Sequence, residues 1–175
     1  MPLSLHAALV PGWLQVLGSC RGLIDKAGAH CAAHGLDEAE LVEARLIGDM
    51  RPFKYQIKSC TVHSRLAVEH ARSGIAGPDF NSSPETLDAL GAQLDDTIAF
   101  VESLDPAEFE TFFGRDVVFS IPGTDYRREY TAENFLLGFS RPNFHFHATT
   151  VYALLRMKGV AIGKVDYLGA WPTRG

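Results

Sequence analysis

Two histidines and two side-chain amides are the residues whose types and spacing could support chemistry in this chain. The run Pro142-Asn143-Phe144-His145-Phe146-His147 leads into an apolar-periodic stretch that stops at Gly159. On a helix starting after Pro142, Phe144, Ala148, Val151 and Leu155 form one stripe, and Asn143, His147, Val151 and Leu154 form its neighbour. His147 is therefore expected at the core or its rim, whereas His145 falls with Thr149, Tyr152 and Arg156 on a more polar face. An amide and an imidazole at i and i+4 on the buried side of a helix can line a pocket or help to hold a metal. Gln56 and His63 repeat the pattern on a second helix, stacked two turns apart on its inner face around Cys60. His147 and His63 are the candidate acid–base groups, because imidazole is the side chain that exchanges a proton near neutral pH. Gln56, Asn143, Tyr55 and Tyr152 are the candidate substrate-binding groups. The structural alternative is a network in which Gln56 and Asn143 bond to each other or to His147 and tie two helices together, since buried amides need partners.

These residues must be positioned by helices. Four long helical segments dominate. The first can be capped by Ser4 and run to Gly35, with Leu9, Trp13, Val16, Leu17, Cys20, Ile24, Ala27 and Cys31 on one face and Pro11 either inside it or at its start. Asp37 with Glu40 reads as a capping box for a short helix to about Arg45. The second long helix, 52–73, carries Phe53, Ile57, Cys60, Ala67 and Ala71 inward and is expected to turn Lys54, Lys58, Arg65 and Arg72 outward; Gly74 ends it. Ser83-Pro84 is expected to open the third through Leu104, after a turn-rich stretch from Ile75. A short helix at 107–113 is followed by a hairpin of 117–121 and 126–130 around Pro122-Gly123-Thr124-Asp125, part of a long crossover. Thr131 caps a helix through Phe139, which Pro142 separates from the last one. The segment 163–175 has no periodicity, although Lys164 and Asp166 could pair their charges over one end of the bundle.

Composition narrows the function classes. The chain has 175 residues, a size that fits a single domain over 1–175, and its formal net charge of -5 gives no electrostatic reason to expect nucleic acid. Cys20, Cys31 and Cys60 are odd in number and lack a C-x-x-C pattern, so reduced buried thiols are expected. The opening 1–17 has no basic region before its apolar residues and is broken by Pro11, Gly12 and Gln15, which argues against a signal peptide or a membrane span and for a cytoplasmic home.

The order of Gly48-Asp49-Met50-Arg51-Pro52, Gln56, Thr86, Leu104-Asp105-Pro106-Ala107-Glu108-Phe109, the 142–147 run, 155–160 and 163–169 resembles the DUF1993 family. That family is a branch of the DinB and YfiT-like superfamily. The resemblance covers nearly the whole chain and implies an all-α, DinB-like four-helix bundle with a small β-hairpin in the crossover before the last helices. In the wider superfamily it also implies a divalent metal on three histidines, one from the second helix and an i, i+4 pair on the last. Here His147 matches the second member of that pair, Asn143 stands at the first, and Gln56 is the residue placed inward on the second helix, with His63 one stripe position further on. Amides are weak ligands beside imidazole, so no cofactor is expected and a metal is disfavoured.

Three functions follow from these residues. The first is a small-molecule pocket in which His147, assisted by Gln56, Asn143 or His63, acts without metal as an isomerase, lyase or cyclase. The second is a metal-dependent hydrolase or thiol transferase of the DinB type. The third is a noncatalytic binding or oligomerisation domain, for which a homodimer through outer apolar residues is compatible with symmetry.

Overall fold

The computed structural model describes residues 3–171. Its architecture is a bundle of four long helices with a small sheet at one end. Helix α1 (Leu5–His34) is one continuous element despite Pro11; Ser4 Oγ accepts from the Ala7 amide at 3.1 Å, and Gly35 closes it in the left-handed conformation. By length and composition α1 could cross a membrane, yet half of its most apolar window is buried in the bundle, as in a core helix. The short α2 (Glu38–Val42) is capped by Asp37 as expected.

The next helix, α3, spans 53–73 but is not uniform. Phe53–Thr61 and Ala67–Ser73 are α-helical, and Val62–Leu66 between them is a π-helical turn. Helix α4 (Leu87–Glu102) starts later than expected. Thr86, not Ser83, supplies the cap, its hydroxyl accepting from Ala89 N at 3.2 Å. After α5 (Pro106–Glu110), the last long helix, α6, runs unbroken over 132–157 as Ala132–Asn134, a π-helical Phe135–Ser140 and an α-helical Arg141–Met157. Pro142 therefore does not separate two helices. Its ring would crowd the carbonyl four residues back in a regular α-helix, and the wider turn before it gives the room.

The hairpin is present as β2 (Asp116–Ser120) and β3 (Arg127–Thr131), antiparallel with Val118 opposite Glu129. It is joined by a third strand that the turn-rich sequence concealed, β1 (Ile75–Ala76), parallel to β2. Two glycines bracket β1. Gly74 ends α3 at φ 74°, and a Cβ on Gly77 would lie 2.9 Å from the Ser120 carbonyl oxygen. The chain can thus pass close beside β2 and turn back over α3.

The core is contiguous. Phe144, Ala148, Val151 and Leu155 of α6 are fully buried, as are Phe53, Ile57 and Cys60 of α3, while α1 packs chiefly on α4. Cys20, Cys31 and Cys60 are free and buried. The tail forms a short α7 (Lys164–Leu168) against α1: Ser19 Oγ bonds to the Asp166 and Tyr167 carbonyls, and Asp166 pairs with Lys26 at 2.8 Å rather than with Lys164. Residues 172–175 of the predicted aperiodic tail lie outside the described residues.

Candidate functional site

Helices α3 and α6 face each other where both carry a π turn, and the inward polar residues meet there. Gln56 is almost fully buried, and its amide nitrogen donates to the Arg51 carbonyl at 2.9 Å. That bond fixes the amide orientation, so Gln56 Oε1 is the atom 2.7 Å from His147 Nδ1. A carbonyl oxygen only accepts. His147 therefore carries its proton on Nδ1 and keeps the Nε2 lone pair. His63 is set in a similar way. Ser140 Oγ spends its single proton on the His63 carbonyl at 3.1 Å, so at 3.4 Å it accepts from His63 Nδ1. The two rings lie nearly parallel, 8° apart in plane and 5.6 Å between centroids.

Both imidazoles border a cavity of about 200 Å3, whose floor is α3 and α6 and whose cover is Gly77, Pro78, Asp79 and Phe119. A water's share of liquid volume is about 30 Å3, so this space suits a compact molecule rather than a drug-sized one. Burial holds the His63 ring at about 3, with the nearby His147 and His70 adding to the effect, and burial holds His147 at about 4. Both are neutral at pH 7. Unfolding restores ordinary histidines near 6.5, so below that value the unfolded chain binds protons that the folded chain refuses. Stability is complete above about pH 6.5 and falls as pH drops toward 4. Urea midpoints measured from pH 7.5 down to 5.0 should decline, and the decline should flatten in the His63→Leu/His147→Leu double variant.

The structure brings His147, His63, Gln56, Asn143 and Tyr55 to one place and leaves Tyr152 out. Asn143 borders the cavity, with its amide nitrogen donating to the Phe139 carbonyl at 2.8 Å. Tyr55 meets His147 edge to face at 6.1 Å. Tyr152 instead packs on Tyr167 at the α7 end. His145 is exposed, in keeping with its polar face.

Lys58 overturns its sequence reading. It is buried at 3 % exposure instead of facing outward. Its ammonium reaches Asp79 Oδ2 at 3.0 Å, the Asp79 carbonyl at 3.1 Å and the Asn81 carbonyl, which uses its three donors. Burial raises the Asp79 carboxyl, but the Asn81 amide and the Lys58 ammonium outweigh it and hold the group below its usual range. The sequence reading does not single out Asp79, Ser140 or the Gly77-Pro78 cover, and it places Lys58 only on the outer face. Gly-Pro-Asp in a turn-rich stretch marks a bend, and nothing local says which surface it bends over.

The donors do not fit a metal centre built on three imidazoles. Gln56 has both ends of its amide engaged, Asn143 has only an oxygen left, and two imidazoles remain. Among the described residues no three His, Cys, Asp or Glu side chains are grouped to hold a metal ion.

The four-helix bundle with its small three-stranded sheet defines the class of protein by fold. The family described as Domain of unknown function (DUF1993) matches residues 5–168, and the chain belongs to it. Among solved structures it is similar to a DinB family member protein from Shewanella denitrificans, with a TM-score of 0.82 and 26% identity over 98% of this chain and 95% of that one. No curated protein matches the sequence.

Proposed function

We propose that the cavity binds a compact organic molecule and that His147 acts on it through Nε2, without a metal, in an isomerase, lyase or cyclase type of reaction. The observation that carries this reading is the Gln56 bond, which fixes one tautomer and leaves a lone pair on a ring that borders the cavity. A ring held at about 4 remains unprotonated at neutral pH and is a weak base. It suits polarising a substrate O–H or N–H and holding the molecule in a reactive shape better than storing a proton. His63 offers a second acceptor beside it, so one substrate with two donors can be gripped at two points. The aromatic wall of Phe119 and Phe139 supplies apolar contact for the rest of the molecule.

Histidine side-chain 1H–15N spectra test the reading. His147 is expected as the neutral Nδ1–H form from pH 8 to about 5, given its lowered value near 4. Neutral hydroxyl compounds of about ten non-hydrogen atoms, a size set by the cavity and the volume per water, should shift its ring signals. His147→Ala should abolish compound binding at unchanged helical circular dichroism. A His147 ring that titrates near 6.5, or that no compound perturbs, would overturn it. Collapse of the alanine variant to an unfolded chain would support a purely structural Gln56–His147 tie, and His147→Gln then decides whether binding is lost in a folded protein.

A further inference from the structure

Beside the His147 cavity lies a larger cleft of about 440 Å3, and Tyr55, Lys58, Pro78 and Asp79 wall both spaces. Charge in the cleft is uneven. Lys54 pairs with Glu43 and Glu85, and Lys58 pairs with Asp79, so these lysines are compensated. Arg45 and Arg51 also line the cleft, and among the described residues neither makes an ion pair. Among the described residues Arg45 donates only to the Met50 carbonyl, at 2.6 Å. The Arg51 guanidinium lies 5.4 Å from the Tyr55 ring centroid, and that same ring meets His147. One tyrosine thus stands between a cation in the cleft and the lone-pair imidazole in the cavity. Two guanidiniums without an ion pair among the described residues outweigh the one carboxylate that Lys54 and Lys58 leave unmatched, so the concavity is net positive, in contrast with the net charge of -5. Their planar forks match carboxylate and phosphate oxygens. Phe80, 73 % exposed on the cleft wall, adds an apolar surface for the body of a ligand.

We infer that the molecule taken up is an organic acid, with a hydrogen-bond donor at the end that enters the His147 cavity and a carboxylate or phosphate oxyanion held in the cleft by Arg51 and Arg45. This rests on the function proposed above and adds the substrate class. It assigns Arg51 a binding role, in which the tyrosine ring steadies the guanidinium and sets the reach of the ligand from cleft to imidazole.

Three probes of one shape test it: 4-hydroxyphenylacetate, its neutral amide 4-hydroxyphenylacetamide, and 4-hydroxybenzylphosphonate. Each is titrated at low salt into wild type, Arg51→Gln and the surface-charge control Lys158→Gln, reading the His147 ring signals and affinity. The acids are expected to shift the ring and to bind roughly tenfold or more tightly than the amide, as a charge-assisted pair would give. Arg51→Gln should erase that preference and Lys158→Gln should keep it; the better of the two acids identifies the oxyanion. Equal binding of amide and acids, all shifting the ring, overturns the acid assignment and leaves the His147 reading standing. Acids that bind without moving the His147 signals also overturn it. If no probe moves the ring and the neutral hydroxyl compounds fail as well, the His147 reading falls, and this inference falls with it.

Discussion

Lys58→Ala is expected to destabilise the protein by about 3–5 kcal/mol, the cost of leaving one member of a buried ion pair alone. The alanine removes the only cation, among the described residues, within bonding reach of Asp79 and two carbonyls of the same loop. Asp79 then has to take up a proton or draw water into the cover of the cavity. Asp79→Leu with Lys58→Met should recover most of the loss, because a well-packed apolar pair often replaces a buried ion pair at little cost. Urea unfolding of Lys58→Met, Asp79→Leu and the double variant measures the coupling, and amide hydrogen exchange over 77–83 locates it. If Lys58→Ala costs less than about 1 kcal/mol, typical of a surface pair, the pair is not what holds the cover down.

Phe135→Ala should cost about as much, roughly 3–5 kcal/mol for a buried aromatic ring replaced by a methyl group. Phe135 is 1 % exposed and touches three other rings, with centroids 6.1 Å from His70, 5.9 Å from Tyr130 and 5.5 Å from Phe139. It is where β3 is fastened to α6 and α3. Because Phe139 belongs to both this cluster and the cavity wall, the variant should also alter ligand access to His147. Thermal unfolding with near-ultraviolet circular dichroism checks both effects. A small loss of stability with an unchanged aromatic signal would show that the cluster repacks around the void.

The helices were legible in the sequence because their signals are local. Ser4 and Asp37 cap where expected, and Phe144, Ala148, Val151 and Leu155 are inward as their spacing requires. The same periodicity placed Gln56 and His147 on facing surfaces, which is why their contact was among the alternatives. What escaped depends on two segments meeting. β1 has only two residues and exists because β2 lies beside it. Lys58 has the sequence signature of a solvated helix face, and its burial comes from a loop twenty-odd residues away folding onto it. The start of α4 departs from the sequence expectation because Ser83-Pro84 is a strong local signal, whereas Thr86 forms the capping bond to Ala89. Tyr152, a candidate donor at the pocket mouth, lies on the polar face with His145, and the tail helix takes it.

The wide turns on α3 and α6 tie two distant stretches of sequence to a common fate. A turn with i→i+5 bonds holds about one residue more than an ordinary turn, and removing that residue would rotate one half of a helix by about 100° against the other. His63 and Ser140 each sit within such a turn and touch one another. A deletion in one helix alone would part them and swing the imidazole away from its partner ring. Gain or loss of these single residues in descendants of this fold is therefore expected in pairs, one in each helix, and a lineage with just one would have rebuilt the space between them.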